Sequence, residues 1–264
     1  MKISVLGATG SMGGLVIKSA LQNGFEVINK VSSKDKISDL FLESDAIVDF
    51  SCPIATESML SYVLQTKSKI PLVIGTTSLS QKCFEEMQNC SNFAPIFYSP
   101  NMSFLISIVN MTVYAIAKLL DESYDAEILD IHHRLKKDAP SGTALMLGHS
   151  IAQARAQNFE DIATFFRYGI IAQRRIGEIG FSSQRGGQTV GEHIVSFTSD
   201  QESIKIHHIA HNKEIFAKGA IKAINWITNQ KAGLYTMNDF TKDSIIPIVK
   251  ALYNDFFSSQ RKKI

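Results

Sequence analysis

The chain has 264 residues, 45% hydrophobic and 20% charged, with a formal net charge of +2 at pH 7. This is an ordinary globular composition, long enough for one large domain or two modest ones. The small net charge argues against nucleic acid and membrane surfaces as partners. No apolar run approaches the ~20 residues that span a bilayer. No leader pattern precedes the first strand, and Cys52, Cys83 and Cys90 have no metal spacing, so we expect a cytoplasmic protein with reduced, structural cysteines.

Lys2–Leu6 is a short apolar run typical of a buried strand, followed at once by Gly7-Ala8-Thr9-Gly10-Ser11-Met12-Gly13. Leu15–Asn23 then has helical periodicity, with Gly24 at a natural stop. Strand, glycine turn and helix are the context of a dinucleotide-binding turn. Gly7 permits the tight turn, Gly10 lets backbone approach a pyrophosphate, and Gly13 lets helix and strand pack closely. Phe25–Val31 is the second strand. It ends in Ser32-Ser33-Lys34, with Asp35 arriving late. Hydroxyls followed by a lysine suit a 2′-phosphate better than a free 2′-hydroxyl, so the reading leans to NADPH over NADH.

Three more strand–helix units follow: Ala46–Phe50 with Ile54–Thr66, Leu72–Gly75 with Leu79–Asn89, and the strand Pro95–Ser99 leading to Pro100-Asn101. Alternation of this kind gives a right-handed, doubly wound parallel sheet of Rossmann type, whose ligands bind at the carboxyl ends of the strands. Phe50-Ser51, Gly75-Thr76-Thr77 and Ser99-Pro100-Asn101-Met102 sit at such ends, where a nicotinamide and its ribose would lie.

Phe104–Leu120 is a long helix with apolar residues at helical spacing. Asp125–His133 alternates, placing His132 and His133 on opposite faces, so both serve one site only if the strand ends or bends near His132. Gly142–Gln157 is helical. Ile176–Ser182, Gln188–Phe197 and Ser203–His211 are β-rich, with no long helix between them, which predicts an antiparallel or mixed sheet. Lys213–Asn229 and Ile245–Phe257 return to helix, and Gln260–Ile264 reads as an irregular tail. The expected organisation is a discontinuous dinucleotide-binding domain, residues 1–102 and 213–264. Into it is inserted an α+β domain, residues 103–212, for substrate binding and oligomerisation, and the two crossings form a hinge.

The stretch with the most chemistry is Asp130–Thr143, D-I-H-H-R-L-K-K-D-A-P-S-G-T. Two histidines, an arginine and two lysines lie within six residues. Ser141 is a natural N-cap, so the backbone N–H groups of Gly142 and Thr143 face out of a helix start, a ready anion site. Imidazoles, ammonium groups and a helix N-terminus converge on something small and negatively charged.

These motifs resemble the 4-hydroxy-tetrahydrodipicolinate reductase (dihydrodipicolinate reductase) family of the diaminopimelate–lysine pathway, from Gly7 to about Phe240. The most specific piece is His132-His133-Arg134-Leu135-Lys136-Lys137-Asp138-Ala139-Pro140-Ser141-Gly142-Thr143-Ala144, against the family's H-H-x-x-K-x-D-x-P-S-G-T-A. Val48–Ser51, Val73–Thr77, Ser99–Met102, Val190–His193 and Lys231–Tyr235 support it. Many relatives have Ala-Ala-Asn-Phe where this chain has Ser99-Pro100-Asn101-Met102. The resemblance implies NAD(P)H-dependent reduction of a hydroxylated cyclic imine with loss of water, no metal, and a homotetramer formed through the middle-domain sheets. His132 would be the proton donor or acceptor and Lys136 a proton donor. His133, Gly142 and Thr143 would hold a carboxylate of the small dicarboxylate substrate. Gly7–Met12, Gly75–Thr77 and Ser99–Met102 would contact the cofactor.

Two other readings compete. One is another two-domain NAD(P)-dependent reductase, such as an amino-acid dehydrogenase; the P-S-G-T helix start beside paired histidines argues against it. The other is a non-catalytic NAD(P)-binding sensor, which predicts loss of His132 or Lys136, and both are present. His193, His207, His208 and His211 receive no role, although His193 follows the Gly191-Glu192 match and is the nearest of them to the site.

Overall fold

The computed structural model describes residues 1–261. It divides into two compact units, residues 1–104 with the stretch from 214 onward, and residues 105–213. The first unit opens with β1 (Lys2–Leu6), α1 (Ser11–Gln22), β2 (Glu26–Val31), a 3-10 turn (Ile37–Phe41), β3 (Ala46–Asp49), α2 (Pro53–Thr66), β4 (Leu72–Ile74), α3 (Gln81–Cys90) and β5 (Pro95–Tyr98). The central strands β1, β3 and β4 are buried on both faces, as parallel strands under two helical layers must be, while the edge strand β2 is largely half-exposed. Local chemistry sets the boundaries. Gly24 follows α1 at φ +78°, Pro53 starts α2, and the Ser80 hydroxyl accepts from the Cys83 N–H to cap α3. Helix α1 begins at Ser11, four residues before the apolar periodicity does, so Ser11 and Met12 belong to its first turn. Cys83 and Cys90 are buried, as structural cysteines should be, but Cys52 is exposed; it occupies the N-cap of α2 at the surface.

The second unit takes over within α4 (Phe104–Leu119). It holds β6 (Asp125–His132), α5 (Gly142–Ala154), α6 (Phe159–Ile162), β7 (Ala163–Thr164), β8 (Ile179–Arg185), β9 (Gly191–Thr198) and β10 (Ser203–Ala210). Its sheet has the order β10-β9-β6-β8-β7, with β9 antiparallel to both neighbours and β6, β8 and β7 parallel. It is a mixed sheet. The strand read over Ile176–Ser182 lies three residues further on, because Gly177 takes φ +80° and Ile176 is exposed. Helices α4 and α5 cover one face: Val113, Ala117, Leu147 and Ile151 pack with Ala126, Ile128, Val195 and Phe197. Along β6 burial alternates strictly, so Ala126, Ile128, Asp130 and His132 share the covered face.

The chain then returns to the first unit with α7 (Glu214–Ile227), β11 (Gly233–Thr236) and α8 (Met237–Arg261). Strand β11 pairs with β5, giving a six-stranded, all-parallel sheet of order β11-β5-β4-β3-β1-β2. This edge strand has no sequence signature, since G-L-Y-T is four residues and only half-buried. Helix α8 starts eight residues before the expected Ile245 and runs through Pro247. The tail expected over Gln260–Ile264 begins inside that helix, and residues 262–264 lie outside the described ones. On one sheet face α1 and α7 bury Val16, Ala20, Ala220 and Ile224; on the other, α2 and α3 bury Met59, Leu60, Val63 and Met87.

Candidate active site

The strand order reverses between β1 and β3, the switch point where a doubly wound sheet binds its ligand. Gly7 sits there at φ +82°, and a β-carbon on it would lie 2.5 Å from the Phe50 carbonyl oxygen. A β-carbon on Gly13 would lie 2.1 Å from the Gly7 oxygen. Both positions therefore require glycine. Gly10 is the N-cap of α1, with no side-chain cap on the helix. Thr9, Gly10 and Ser11 are exposed, and Ala8 and Met12 half-buried. A bare backbone turn running into an uncapped helix N-terminus fits a pyrophosphate.

The neighbouring strand ends converge through a buried carboxylate. Asp49 is fully buried and accepts from the Ser51 N–H, the Ser51 hydroxyl, and the hydroxyls of Thr56 and Thr76. Burial pushes its carboxyl up, and these donors pull against that. Gly75 lies flat on the Phe50 ring, which a β-carbon would meet at 2.5 Å. Thr77 is exposed beside it. Ser99 donates to the Asn101 carbonyl at 2.6 Å, Pro100 is exposed, and Met102 is buried beneath α7. At the end of β2, Asp35 turns back to accept from the Ser32 N–H at 2.8 Å and hydroxyl at 2.7 Å. Ser33 and Lys34 stay exposed.

In the second unit β6 ends at His132. His132 is buried on the covered face and His133 stands half-exposed in the loop that follows. The strand ends where the two imidazoles would otherwise diverge. The loop doubles back: the Lys136 N–H donates to the His133 carbonyl at 3.1 Å, and Lys136 Nζ pairs with Asp138 at 2.9 Å. Ser141 then caps α5, accepting from the Ala144 N–H at 3.2 Å. Gly142 is exposed with open space around its α-carbon, and Thr143 is half-buried behind it.

Three residues that carried no role in the sequence reading complete this cluster. Asp130 is fully buried. It lies 2.7 Å from His132 Nδ1, 2.8 Å from Arg185 Nη2 and 3.0 Å from the Ser141 N–H. Burial alone would raise its carboxyl, but the nearby His132 imidazole and the hydrogen bonds from Arg185 and the Ser141 N–H outweigh that and hold it well below the usual carboxylate range. His193 Nε2 lies 3.1 Å from the Ser141 hydroxyl and 3.6 Å from Asp130. Burial pushes the His193 imidazole down to about 4. The only sequence signals were the i, i+2 spacing of Asp130 and His132, which puts both on one strand face, and the Gly191-Glu192-His193 match. Asp130, His132 and His193 offer donor atoms within 4.8 Å of one another.

A glycine turn at the switch point of one unit, and a buried histidine beside a helix N-terminus in the other, define a two-unit oxidoreductase of the Rossmann nucleotide-binding class. Residues 1–102 match the family model described as dihydrodipicolinate reductase, N-terminus, and residues 106–241 match the one described as its C-terminus. A 4-hydroxy-tetrahydrodipicolinate reductase of Campylobacter jejuni is 42% identical over 243 residues, covering 91% of this chain and 98% of the relative. One from Buchnera aphidicola is 40% identical over 266 residues, covering 91% and 97%. The fold is also that of a dipicolinate-bound dihydrodipicolinate reductase from Paenisporosarcina, with TM-score 0.65, 20% identity and coverage of 89% and 97%. The chain belongs to the dihydrodipicolinate reductase family.

Proposed function

We propose that this chain catalyses the NAD(P)H-dependent reduction of 4-hydroxy-tetrahydrodipicolinate to tetrahydrodipicolinate, with loss of water, in lysine biosynthesis through diaminopimelate. The observation that carries the reading is the buried His132 next to the α5 N-terminus, in a chain that matches the family along most of its length. Gly7–Met12, Phe50, Gly75–Thr77 and Ser99–Met102 would hold the cofactor, with Ser32, Ser33 and Lys34 at its adenosine ribose. When bound, the dihydronicotinamide supplies the hydride, and the protein need only orient it.

The second unit handles charge and protons. The first N–H groups of α5, at Gly142 and Thr143, face a carboxylate, and His133 and Lys136 add positive charge, a fitting clamp for a dianion. Ser141 fixes where that helix begins. His132 gives or takes a proton at Nε2, and Lys136, held in its loop by Asp138, donates one. NADPH is the preferred cofactor in this reading. What supports it is that Asp35 is occupied by Ser32 while Lys34 is exposed and free to meet a phosphate. The protein works as a cytoplasmic homotetramer. The second unit exposes a run of large apolar groups, with Phe166 and Tyr168 each 81% exposed and Ile176 80%, and patches of this kind favour self-association.

The test is an assay with freshly generated synthase product, following NADH and NADPH absorbance side by side. Oxidation that depends on the synthase product, faster with NADPH, is expected. His132→Ala and Lys136→Ala should bind NADPH normally and turn over at least ~100-fold more slowly. No oxidation by wild-type protein that still binds cofactor would overturn the reading.

A further inference from the structure

We propose that Asp130 is a positioning residue for the reaction, setting the tautomer of His132 and tying that imidazole to the substrate-binding helix start. The proposal rests on the reading of His132 as the proton-transferring group. Asp130 and His132 are two residues apart on β6 and share its covered face. The two carboxylate oxygens have different work. Oδ2 accepts from Arg185 Nη2 at 2.8 Å, the Ser141 N–H at 3.0 Å and the Ser183 hydroxyl at 3.3 Å. Oδ1 faces the two imidazoles, His132 Nδ1 at 2.7 Å in a bent approach and His193 Nε2 at 3.6 Å.

An ionised carboxylate only accepts. The 2.7 Å contact lies off the ring N–H axis and does not make a regular hydrogen bond. An unprotonated Nδ1 there would nevertheless set its lone pair against the carboxylate, so the proximity assigns the proton to Nδ1 and leaves Nε2 to exchange one with the substrate. The ring also has little room to turn. Gly191 packs beneath its other edge, where a β-carbon would stand 3.1 Å from Nε2. Through the Ser141 N–H the same carboxylate holds the first residue of the α5 cap. The imidazole and the carboxylate-binding N–H groups are thereby fixed to one anchor.

The other charged and titratable groups around the cluster are consistent with this assignment. Arg185 on β8 supplies the positive charge that keeps Asp130 ionised. His193 on β9 stays neutral. His208 on β10 is buried beyond it, its imidazole pushed down by burial. Lys136 is engaged by Asp138. The same donor set could hold a divalent cation, but the Arg185 guanidinium already satisfies this carboxylate's charge, so the proton is the simpler occupant of the space between Oδ1 and Nδ1.

Asp130→Asn tests the assignment. Arg185, Ser141 and Ser183 keep the amide oxygen on their side, so its NH2 group is turned to His132 Nδ1 and forces the opposite tautomer. We expect kcat to fall roughly 10²–10⁴-fold, with KM and NADPH affinity within about threefold of wild type. Imidazole 15N NMR, with the His132 signals assigned by their loss in His132→Gln, should show Nδ1–H in wild type and Nε2–H in Asp130→Asn. The wild-type spectrum does not need Asp130→Asn to fold, and it is decisive even if the substrate is misassigned. A wild-type Nε2–H tautomer, or an Asp130→Asn enzyme within tenfold of wild-type kcat, would overturn the proposal. So would loss of the Nδ1 proton on adding equimolar Zn²⁺, which would make the cluster a cation site. Wild-type protein with the Nδ1–H tautomer but no turnover of the synthase product would sink the reductase reading alone.

Discussion

Asp130 is fully buried beside the His132 and His193 imidazoles. His193 is held down to about 4 by burial, whereas an unfolded histidine titrates near 6.5. Between those values the unfolded chain binds a proton that the folded chain does not, so stability rises with pH across that window and is lost as pH falls through it. The linkage is worth on the order of 3 kcal/mol. His208, also lowered by burial, acts in the same direction. Asp130 adds its share at still lower pH, because its depressed carboxyl stabilises the fold above the usual carboxylate range and ceases to as pH falls below it. Urea unfolding at a series of pH values from about 7 to 4 should show this fall in stability, and His193→Gln should flatten it. A wild-type profile without slope in that window would mean that His193 is not buried as described.

At the scale of elements, α5 is the part whose start matters most. Its N-cap hydroxyl accepts from the Ala144 N–H and lies against His193. Ser141→Ala removes that acceptor and should cost about 1 kcal/mol of stability. It should also raise the substrate KM more than it lowers kcat if the helix start binds the substrate carboxylate as proposed. Ser141→Thr keeps a hydroxyl and should restore most of both. Equal losses in kcat and kcat/KM with an unchanged KM would argue that α5 acts on the transition state alone. In the first unit the corresponding element contact is α7 on the β5 exit. A β-carbon on Gly219 would stand 1.6 Å from the Met102 carbonyl oxygen, so that helix can approach only because residue 219 has no side chain.

For the molecule as a whole, the composition of the second unit's surface bears on assembly. Phe166, Tyr168 and Ile176 are large apolar groups in a short stretch that also carries Arg167, Arg174 and Arg175, and the described residues of this chain leave those apolar groups exposed. Light scattering on the full chain should give a mass of four copies. Phe166→Asp with Ile176→Asp should yield smaller species while the first unit still binds NADPH. A wild-type monomer would remove the tetramer from the reading. The two units have separate cores, so the substitutions in the second should not reach the nucleotide-binding turns of the first.

Much of this was legible in the chain because it depends on local rules. The turn Gly7–Gly13, the alternation of strands and helices up to Ser99, and the Ser141 cap each depend on a few neighbouring residues whose backbone or side-chain chemistry permits little else. The family resemblance was legible for a related reason: helix starts and glycine turns bind anions through backbone groups, so their sequences are restricted. The rest depends on strand pairing. Register across β6, β8 and β9 places Asp130 opposite Ser183 and His193, and His132 opposite Arg185, from positions more than fifty residues apart. No local period encodes such a meeting. The same holds for β11, too short and too exposed to signal itself until β5 offers it an edge. The proposed proton-transferring histidine and the α5 start were readable along the chain, because adjacent residues spell out each. The fold decided which buried carboxylate holds them, because that depends on cross-strand register.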